Sequence, residues 1–330
     1  MKIINYKHKA EVAQQGTPAL ALTRWIRVRC LAGLLVVALC MSWQFSALAQ
    51  STNSTPALLE PSATQYFQNQ YLANPAMAGL DTGLHINAAY RRQWSDIQGA
   101  PETKYLTADM YAGKRVGLGL NIFNDQAGLI QRTRVGLSYA YHLPLNDPAK
   151  QIHFGLTLAF NTTFIDRKNI NGDNSDPSVA RYNQRDNYFD GEYGMAYTAP
   201  HLTVQASLPN VISMIKKDPN DAVNGGTIFY SAVGYRFLTG DAVSTVEPKV
   251  AYRSVKGYDD IFDFGANVAF LHNAFNITGL YHTTKSFTAG VGFRYKSILG
   301  LQGFYTSQTG GIKSYVDGTF EVALTIHLFN

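Results

Sequence analysis

The chain has 330 residues, of which 46% are hydrophobic, 12% aromatic and only 15% charged. With 20 tyrosines and 18 phenylalanines it is too aromatic for a disordered chain, and no apolar run long enough for a membrane helix follows the first fifty residues. The net charge of +5 arises within residues 1–49, where six basic residues outweigh Glu11; the remainder carries 22 basic and 22 acidic groups. The neutral remainder gives no reason to expect a nucleic-acid partner.

Residues 1–49 are predicted to be a cleavable signal peptide. A basic region, an apolar run and a small-residue site follow one another: Arg24, Arg27, Arg29, Cys30–Met41 and Ala47–Ala49. This order is typical of an exported protein. The alternative, an N-terminal anchor helix, is disfavoured because the apolar run is short. Since Cys30 and Cys40 are the only two cysteines, the exported protein is expected to lack a thiolate nucleophile and a Cys-ligated metal.

Residues 50–82 are predicted to lead into the first strand. Residues 51–64 are rich in Ser, Thr, Pro and Ala, a composition typical of a flexible tether. Asn74-Pro75 then favours a turn, and Gly79 tolerates a positive φ. We expect a structured segment that packs at the periplasmic mouth of the barrel predicted next, or plugs it.

From residue 83 to 330 the chain alternates with period two, which predicts β-strands. In Gln151–Ile165, for example, Phe154, Leu156, Leu158 and Phe160 alternate with small or polar residues. Fourteen such segments are predicted to begin near residues 83, 102, 115, 131, 151, 188, 201, 226, 244, 260, 273, 285, 298 and 315.

The connections between these segments predict a transmembrane antiparallel β-barrel of about 14 strands. Those after even-numbered segments are mostly tight, and the longest, near 166–187 and 209–225, follow odd-numbered ones. Short turns at one end and long loops at the other are typical of outer-membrane barrels. The alternative is a soluble β-sandwich or solenoid. A second face of Gly, Ala, Ser, Asn and isolated charges fits a lumen better than a solvated surface.

Three motifs resemble a known family. They are Asn-Pro-Ala-x-Ala-Gly at 74–79, Arg91-Arg92-Gln93-Trp94 followed by Gly99-Ala100-Pro101, and Gly318–Leu324 near the end. Together they resemble the PorP/SprF family, outer-membrane proteins of the type IX secretion and gliding machinery, over Gln65–Phe329. Met77 and Phe320 depart from the family pattern, which usually has an aromatic and a His there.

The resemblance implies an accessory barrel in the cell outer membrane that supports secretion or surface anchoring of a cognate large adhesin or other type IX substrate. It also implies contacts with periplasmic ring and lipoprotein components. The alternative is a channel or transporter for small or hydrophobic solutes. Nine residues are candidates for partner binding or for the plug: Asn74, Pro75, Ala76, Gly79, Arg92, Trp94, Pro101, Ile212 and Ile215.

Charges predicted to face the lumen form a second candidate site. They are Glu247, Lys249, Arg253, Arg294 and Glu321. Inside a narrow barrel such charges either pair with one another or meet a plug or ligand. The oxygen-rich stretch Asn169–Asp176 suits calcium but lacks the spacing of a twelve-residue calcium loop, and turn formation explains the same residues. With no catalytic motif in the sequence, we expect no enzyme activity, cofactor or metal.

Overall fold

A computed structural model describes residues 64–93, 99–165, 187–215, 227–240, 242–255, 259–308 and 318–329. Fourteen strands carry the fold: β1 Leu84–Gln93, β2 Glu102–Gly113, β3 Val116–Ala127, β4 Ile130–Pro144, β5 Gln151–Ile165, β6 Tyr188–Thr198, β7 Leu202–Leu208, β8 Thr227–Tyr235 with its continuation Phe237–Leu238, β9 Val243–Val255, β10 Ile261–Phe270, β11 Phe275–His282, β12 Ser286–Tyr295, β13 Leu299–Gln308 and β14 Thr319–Leu328. A five-residue helix, α1, spans Val211–Ile215 between β7 and β8.

The strands close into a barrel. Each pairs antiparallel with the next in the chain, and β1 pairs with β14 from Leu84 opposite Leu328 to Gln93 opposite Thr319. Closure satisfies the backbone of every strand on both sides, which a lipid environment demands. The predicted strand starts hold to within two residues except in β14, which begins at Thr319 rather than near 315. Among the described residues, no helix has the length and apolar character needed to cross a membrane.

The period-two pattern separates lumen from lipid. In β5, His153 and Thr157 point inward and are 0% and 4% exposed, whereas Leu156 and Leu158 point outward and are 58% and 59% exposed. Leucines, phenylalanines, valines and tyrosines cover the outward face of the other strands in the same way. This is the apolar band of a membrane barrel, which is held in place by lipid rather than by a second layer of protein.

The two ends of the barrel differ. At one end, called the turn end, connections are short; the turn at Lys114-Arg115 has φ values of 51° and 69°, as a two-residue hairpin turn requires. At the other, called the loop end, β5 ends and β6 begins, and β7 ends and β8 begins; residues 166–187 and 209–226 separate these strands in the chain. β1 starts at the turn end and β14 finishes there, so the chain preceding β1 has to meet the barrel from that side or pass through its lumen.

A charge on the outward face is expected to be costly in proportion to its depth. We expect Leu158→Arg, at the middle of β5, to lower the free energy of unfolding by about 2–4 kcal/mol, because the guanidinium would lie near the bilayer midplane. Phe164→Arg, on the same face near the loop end, is expected to cost at most about 1 kcal/mol. Urea unfolding in lipid vesicles measures both, and equal costs would contradict the placement of β5 in the membrane.

Candidate functional site in the barrel lumen

Residues 64–80, called the lead-in segment, occupy the lumen. Two short 3-10 turns shape it, at Gln70–Leu72 and Pro75–Met77. Each is capped by an asparagine: the side-chain oxygen of Asn69 accepts from Leu72 N at 3.3 Å, and that of Asn74 accepts from Ala76 N at 3.0 Å. These caps satisfy backbone donors that would otherwise lie unpaired inside the barrel. The segment therefore has a fixed shape that the wall can match.

The Asn-Pro-Ala turn lies against wall positions that only glycine can occupy. A Cβ atom placed on Gly155 would lie 2.2 Å from Ala76 N, and one on Gly117 would lie 1.9 Å from the carbonyl oxygen of Ala78. Because backbone meets backbone at both points, neither contact could be relieved by a side-chain movement. With Gly194 described next, these positions form what we call the glycine groove.

Asn74 anchors the segment to two strands at once. Its Nδ2 donates to the carbonyl oxygens of Met195 in β6 and Ala206 in β7, at 3.0 Å and 3.3 Å. A Cβ on Gly194 would lie 2.0 Å from Asn74 Oδ1, so the groove also admits this side chain. Asn74 is fully buried. The motif at 74–79 is thus built to dock in the lumen.

Uncharged hydrogen bonds hold the middle of the segment. Asn69 Nδ2 donates to Thr107 Oγ1 at 2.8 Å, and the hydroxyls of Tyr71 and Ser138 lie 2.7 Å apart. Asn121 Nδ2 also donates to the Tyr71 hydroxyl, at 3.4 Å. Burial raises the pKa of Tyr71, so this hydroxyl stays protonated. These bonds hold the middle of the segment through neutral side chains only.

Nearer the loop end, the segment meets a buried ionic cluster. Asp263 accepts from Arg253 Nε at 2.9 Å and contacts His282 Nδ1, and the Tyr66 hydroxyl donates to the same carboxylate. Burial raises the pKa of Tyr66 well above its ordinary value, which keeps it a donor. Lys249 Nζ donates to the Tyr66 carbonyl oxygen at 2.6 Å. Both ends of the Tyr66 residue are therefore held by charged groups of the wall.

This cluster has the outline of a catalytic triad but not its accessibility. His282 contacts Asp263 through Nδ1 and lies 2.9 Å from Thr288 Oγ1 through Nε2. All three residues are at most 1% exposed, and Arg253 holds the carboxylate. A nucleophile needs room for the atom it attacks, so the arrangement here acts as a structural lock on Tyr66.

Glu321 of β14 receives the start of the segment. Its carboxylate accepts from Thr64 Oγ1 at 2.6 Å, from Gln65 Nε2 at 2.7 Å and from the Tyr105 hydroxyl at 2.9 Å. Hydrogen bonds to a carboxylate are stronger than those between neutral groups. Two of the three donors belong to the lead-in segment, so Glu321 is the carboxylate that fastens its first residues.

Arg91 stands beside Glu321 and is buried. The two are opposite each other in the β1–β14 pairing, and Arg91 is 0% exposed. Within the described part of the chain, none of its three guanidinium nitrogens has a hydrogen-bond partner. The nearby Glu321 carboxylate attracts the Arg91 charge, but the guanidinium is buried without the hydrogen bonds that it could donate.

The structure brings some of the predicted partner-binding residues together and separates others. Asn74, Pro75, Ala76 and Gly79 lie in the lumen, where Gly79 N donates to Asp109 Oδ2 at 2.9 Å. Pro101 is buried near the loop end, and its carbonyl oxygen accepts from Gln93 N at 2.9 Å.

The remaining partner-binding candidates lie elsewhere. Arg92 points away from the lumen and is exposed. Trp94 lies outside the described residues, as does the stretch Asn169–Asp176. In α1, Ile212 is half-buried and its N donates to Asp190 Oδ1 at 2.9 Å, while Ile215 is 77% exposed.

Four of the five predicted lumen charges are buried. Glu247 lies 3.6 Å from Lys249 Nζ and 3.2 Å from Arg236 at the turn end; Arg253 and Glu321 have the contacts given above. Arg294 faces the same side but is exposed at the mouth, where the Asp81 carboxylate attracts its charge. In that same part of the chain, no group of three or more His, Cys, Asp or Glu side chains is placed to hold a metal.

Sequence reasoning missed the residues that complete this site. The sequence motif gives Arg92 as the candidate, although the alternation that places Asn87 inside also places Arg91 there. Gly117, Gly155 and Gly194 are not among the candidates that the sequence offers. The alternation of inward and outward residues is enough to identify Arg91 as a lumen residue. A single sequence contains nothing that shows which glycines contact the lead-in segment.

The fold and the site together define a class. A closed fourteen-strand barrel with an apolar outward face, short turns at one end, long loops at the other and a polar, charged interior is an outer-membrane β-barrel. The chain matches the family described as "Type IX secretion system membrane protein PorP/SprF" over residues 57–326 and belongs to that family.

Similarity to individual proteins is low. No curated protein matches the chain in sequence. Omp33 of Acinetobacter baumannii, an outer membrane protein, is 6% identical with a TM-score of 0.48, covering 76% of this chain and 100% of its own. The CymD monoaromatic hydrocarbon channel is 12% identical with a TM-score of 0.47, covering 79% and 93%. The Ralstonia pickettii toluene transporter TbuX is 13% identical with a TM-score of 0.46, covering 78% and 92%. Resemblances at this level say nothing about what the chain binds.

Proposed function

We propose that this protein is a non-enzymatic accessory barrel of type IX secretion that supports the secretion or surface anchoring of a cognate large adhesin or similar substrate. The observation that carries the proposal is the lead-in segment seated in the lumen on the glycine groove. A barrel filled by its own chain serves as a scaffold, since its loops and turns rather than its interior are free to bind. Family membership supplies the secretion context.

The filled lumen favours this role over a solute channel. A channel needs a continuous path lined by charged rings, carbonyl groups or apolar side chains. Here the inward residues Thr107, Asp263, Thr278 and Glu321 are each at most 2% exposed with the segment in place. The channel alternative therefore requires the segment to leave, and conductance of the purified protein tests it directly.

The proposal assigns the two ends of the barrel different partners. The loop end faces the cell exterior and carries α1, where Ile215 is 77% exposed and Met214 is 43% exposed. Large apolar side chains displayed outside a membrane suit a protein partner. The turn end faces the periplasm, where ring and lipoprotein components of the secretion machine would bind. Residues 1–49 would direct export and be removed.

Deleting the gene tests the proposal. We expect the cognate substrate to disappear from the cell surface, as measured by labelling surface proteins on intact cells and identifying them by mass spectrometry. Pull-down of the tagged barrel from detergent-solubilised membranes is expected to recover the same substrate. Complementation with the wild-type chain should restore both results. Unchanged surface proteins after deletion would contradict the accessory role.

Ile215→Asp is expected to weaken the outer contact without affecting the barrel. The side chain is 77% exposed, so folding should be unchanged, whereas an apolar contact with a partner would be lost, with roughly tenfold less substrate recovered in the pull-down. The matched control is Leu129→Asp, at the loop-end turn between β3 and β4, which should recover as much substrate as wild type. Equal recovery from both variants would exclude α1 as the contact.

A further inference from the structure

The lead-in segment is held in two chemically different ways along its length. Its inner part, at 74–79, is seated by backbone contacts in the glycine groove, which have no alternative partner. Its outer part, at 64–69, is held by side-chain hydrogen bonds to charged groups of the wall. Hydrogen bonds of this kind can be exchanged for others, whereas backbone packing cannot. Residues 64–69 can therefore detach from the wall while residues 74–79 stay bound to it.

Wall charges that touch the segment keep a wall partner of their own. Asp263 has Arg253 and His282, and Lys249 lies 3.6 Å from Glu247. If Tyr66 withdrew, each of these charges would remain paired inside the barrel. Withdrawal of residues 64–69 would therefore leave neither Asp263 nor Lys249 without an oppositely charged neighbour in the wall.

Glu321 and Arg91 are the exception, because with the segment in place the Arg91 guanidinium makes no hydrogen bond to the Glu321 carboxylate. They are directly opposite each other on neighbouring strands and both face inward. At such positions the Cβ atoms are about 5 Å apart, so the two side chains can pair without any backbone movement. Instead Glu321 bonds Thr64 and Gln65, and the Arg91 nitrogens have no partner among the described residues. The segment thus takes the place of the direct, hydrogen-bonded contact that Glu321 and Arg91 could make with each other.

We propose that residues 64–69 are a releasable latch, which opens when Glu321 exchanges Thr64 and Gln65 for Arg91. The released state gains hydrogen bonds between the Arg91 guanidinium and the Glu321 carboxylate, which offset the hydrogen bonds lost from Thr64 and Gln65. The inner part stays in the glycine groove and tethers the latch to β1. Opening uncovers Thr107 and Thr278, which the segment covers when closed. This proposal concerns the barrel alone and does not depend on which partner it serves.

A single reporter thiol tests the latch. In the chain with Cys30→Ser and Cys40→Ser, Thr107→Cys places a thiol on the wall at a position that is 0% exposed when the latch is closed. The rate of maleimide labelling of the purified barrel in detergent micelles then measures opening. Gln65→Ala is expected to raise this rate roughly tenfold, because one hydrogen bond to the Glu321 carboxylate is lost.

Arg91→Met provides the decisive comparison. It removes the partner that Glu321 needs in the open state, so labelling should fall roughly tenfold in both the wild-type and the Gln65→Ala backgrounds. A merely structural Arg91 predicts the opposite, since weakening the wall would increase access. Arg134→Met removes an inward arginine that pairs with Glu192 and bonds Asn161 and Asn210 rather than the segment, and it should leave the rate unchanged. The gel shift between boiled and unboiled samples confirms that each variant is folded.

Two results would overturn the proposal. One is a Gln65→Ala rate equal to that of the parent, because Glu321 would then not be fastening the segment. The other is Arg91→Met labelling that is unchanged or faster, because Arg91 would then not favour the open state. Neither result bears on substrate display by cells, so failure of the latch and failure of the accessory role are separate outcomes.

Discussion

Replacing Gly155 by valine is expected to unseat the lead-in segment and convert a closed barrel into one that conducts ions. A Cβ atom at this position would lie 2.2 Å from Ala76 N, far inside contact distance. Overpacking of a well-packed interior costs about 1–3 kcal/mol even when side chains can adjust, and here the obstacle is backbone. Because β5 favours β-branched residues on its pleated face, the strand itself should tolerate valine. We therefore expect the lead-in segment to be displaced while the barrel stays folded.

Planar bilayer recordings of the purified proteins measure this effect. The wild-type barrel is expected to show little conductance, and Gly155→Val is expected to show stable open steps. The control is Gly303→Ala in β13, where an added Cβ would have no neighbour within 4 Å, and which should behave as wild type. A silent Gly155→Val barrel that still shows the folded gel shift would contradict the seating of the Asn-Pro-Ala turn against β5.

The barrel was predictable because its determinants are local. Alternation of large apolar with small or polar residues is written into each strand, as in Gln151–Ile165, and it sets which side chains face lipid. The end-to-end asymmetry of turn and loop lengths is likewise visible in the chain. Both features can be recognised without knowing which strands are neighbours. For this reason thirteen strand starts lie within two residues of those predicted.

The lumen site was only partly predictable because its contacts are non-local. Glu321 and Thr64 are 257 residues apart, and nothing in either neighbourhood identifies the other. Position along the barrel axis and position around its circumference both have to match before two inward side chains can meet. The motif at 74–79 indicates a turn, but its docking on Gly117, Gly155 and Gly194 depends on the pairing that places β3, β5 and β6 along one part of the wall. Arg294 shows the same limit: the pattern gives the face, but not that the residue ends up exposed at the mouth.

Asp263→Asn is expected to destabilise the barrel more than a typical surface substitution, by about 3–5 kcal/mol, because it removes the carboxylate that pairs with the buried Arg253 guanidinium at 2.9 Å. Arg253 and Asp263 are each 1% exposed, so water cannot compensate. The same change replaces with an amide the carboxylate that accepts a hydrogen bond from Tyr66 and contacts His282. Urea unfolding in vesicles, followed by the gel shift of the unboiled protein, gives the free energy of unfolding.

The paired substitution separates the cost of an unpaired charge from the value of the pair. Asp263→Leu combined with Arg253→Met removes both charges and replaces them with apolar groups, so it should recover most of the stability lost in Asp263→Asn. In the same double variant Tyr66 loses its acceptor, and the reporter thiol at Thr107→Cys should label faster even though the wall is stable. If stability is not recovered, the cluster is needed to hold β9 and β10 in register. Recovered stability with faster labelling would instead assign its main role to retaining the lead-in segment.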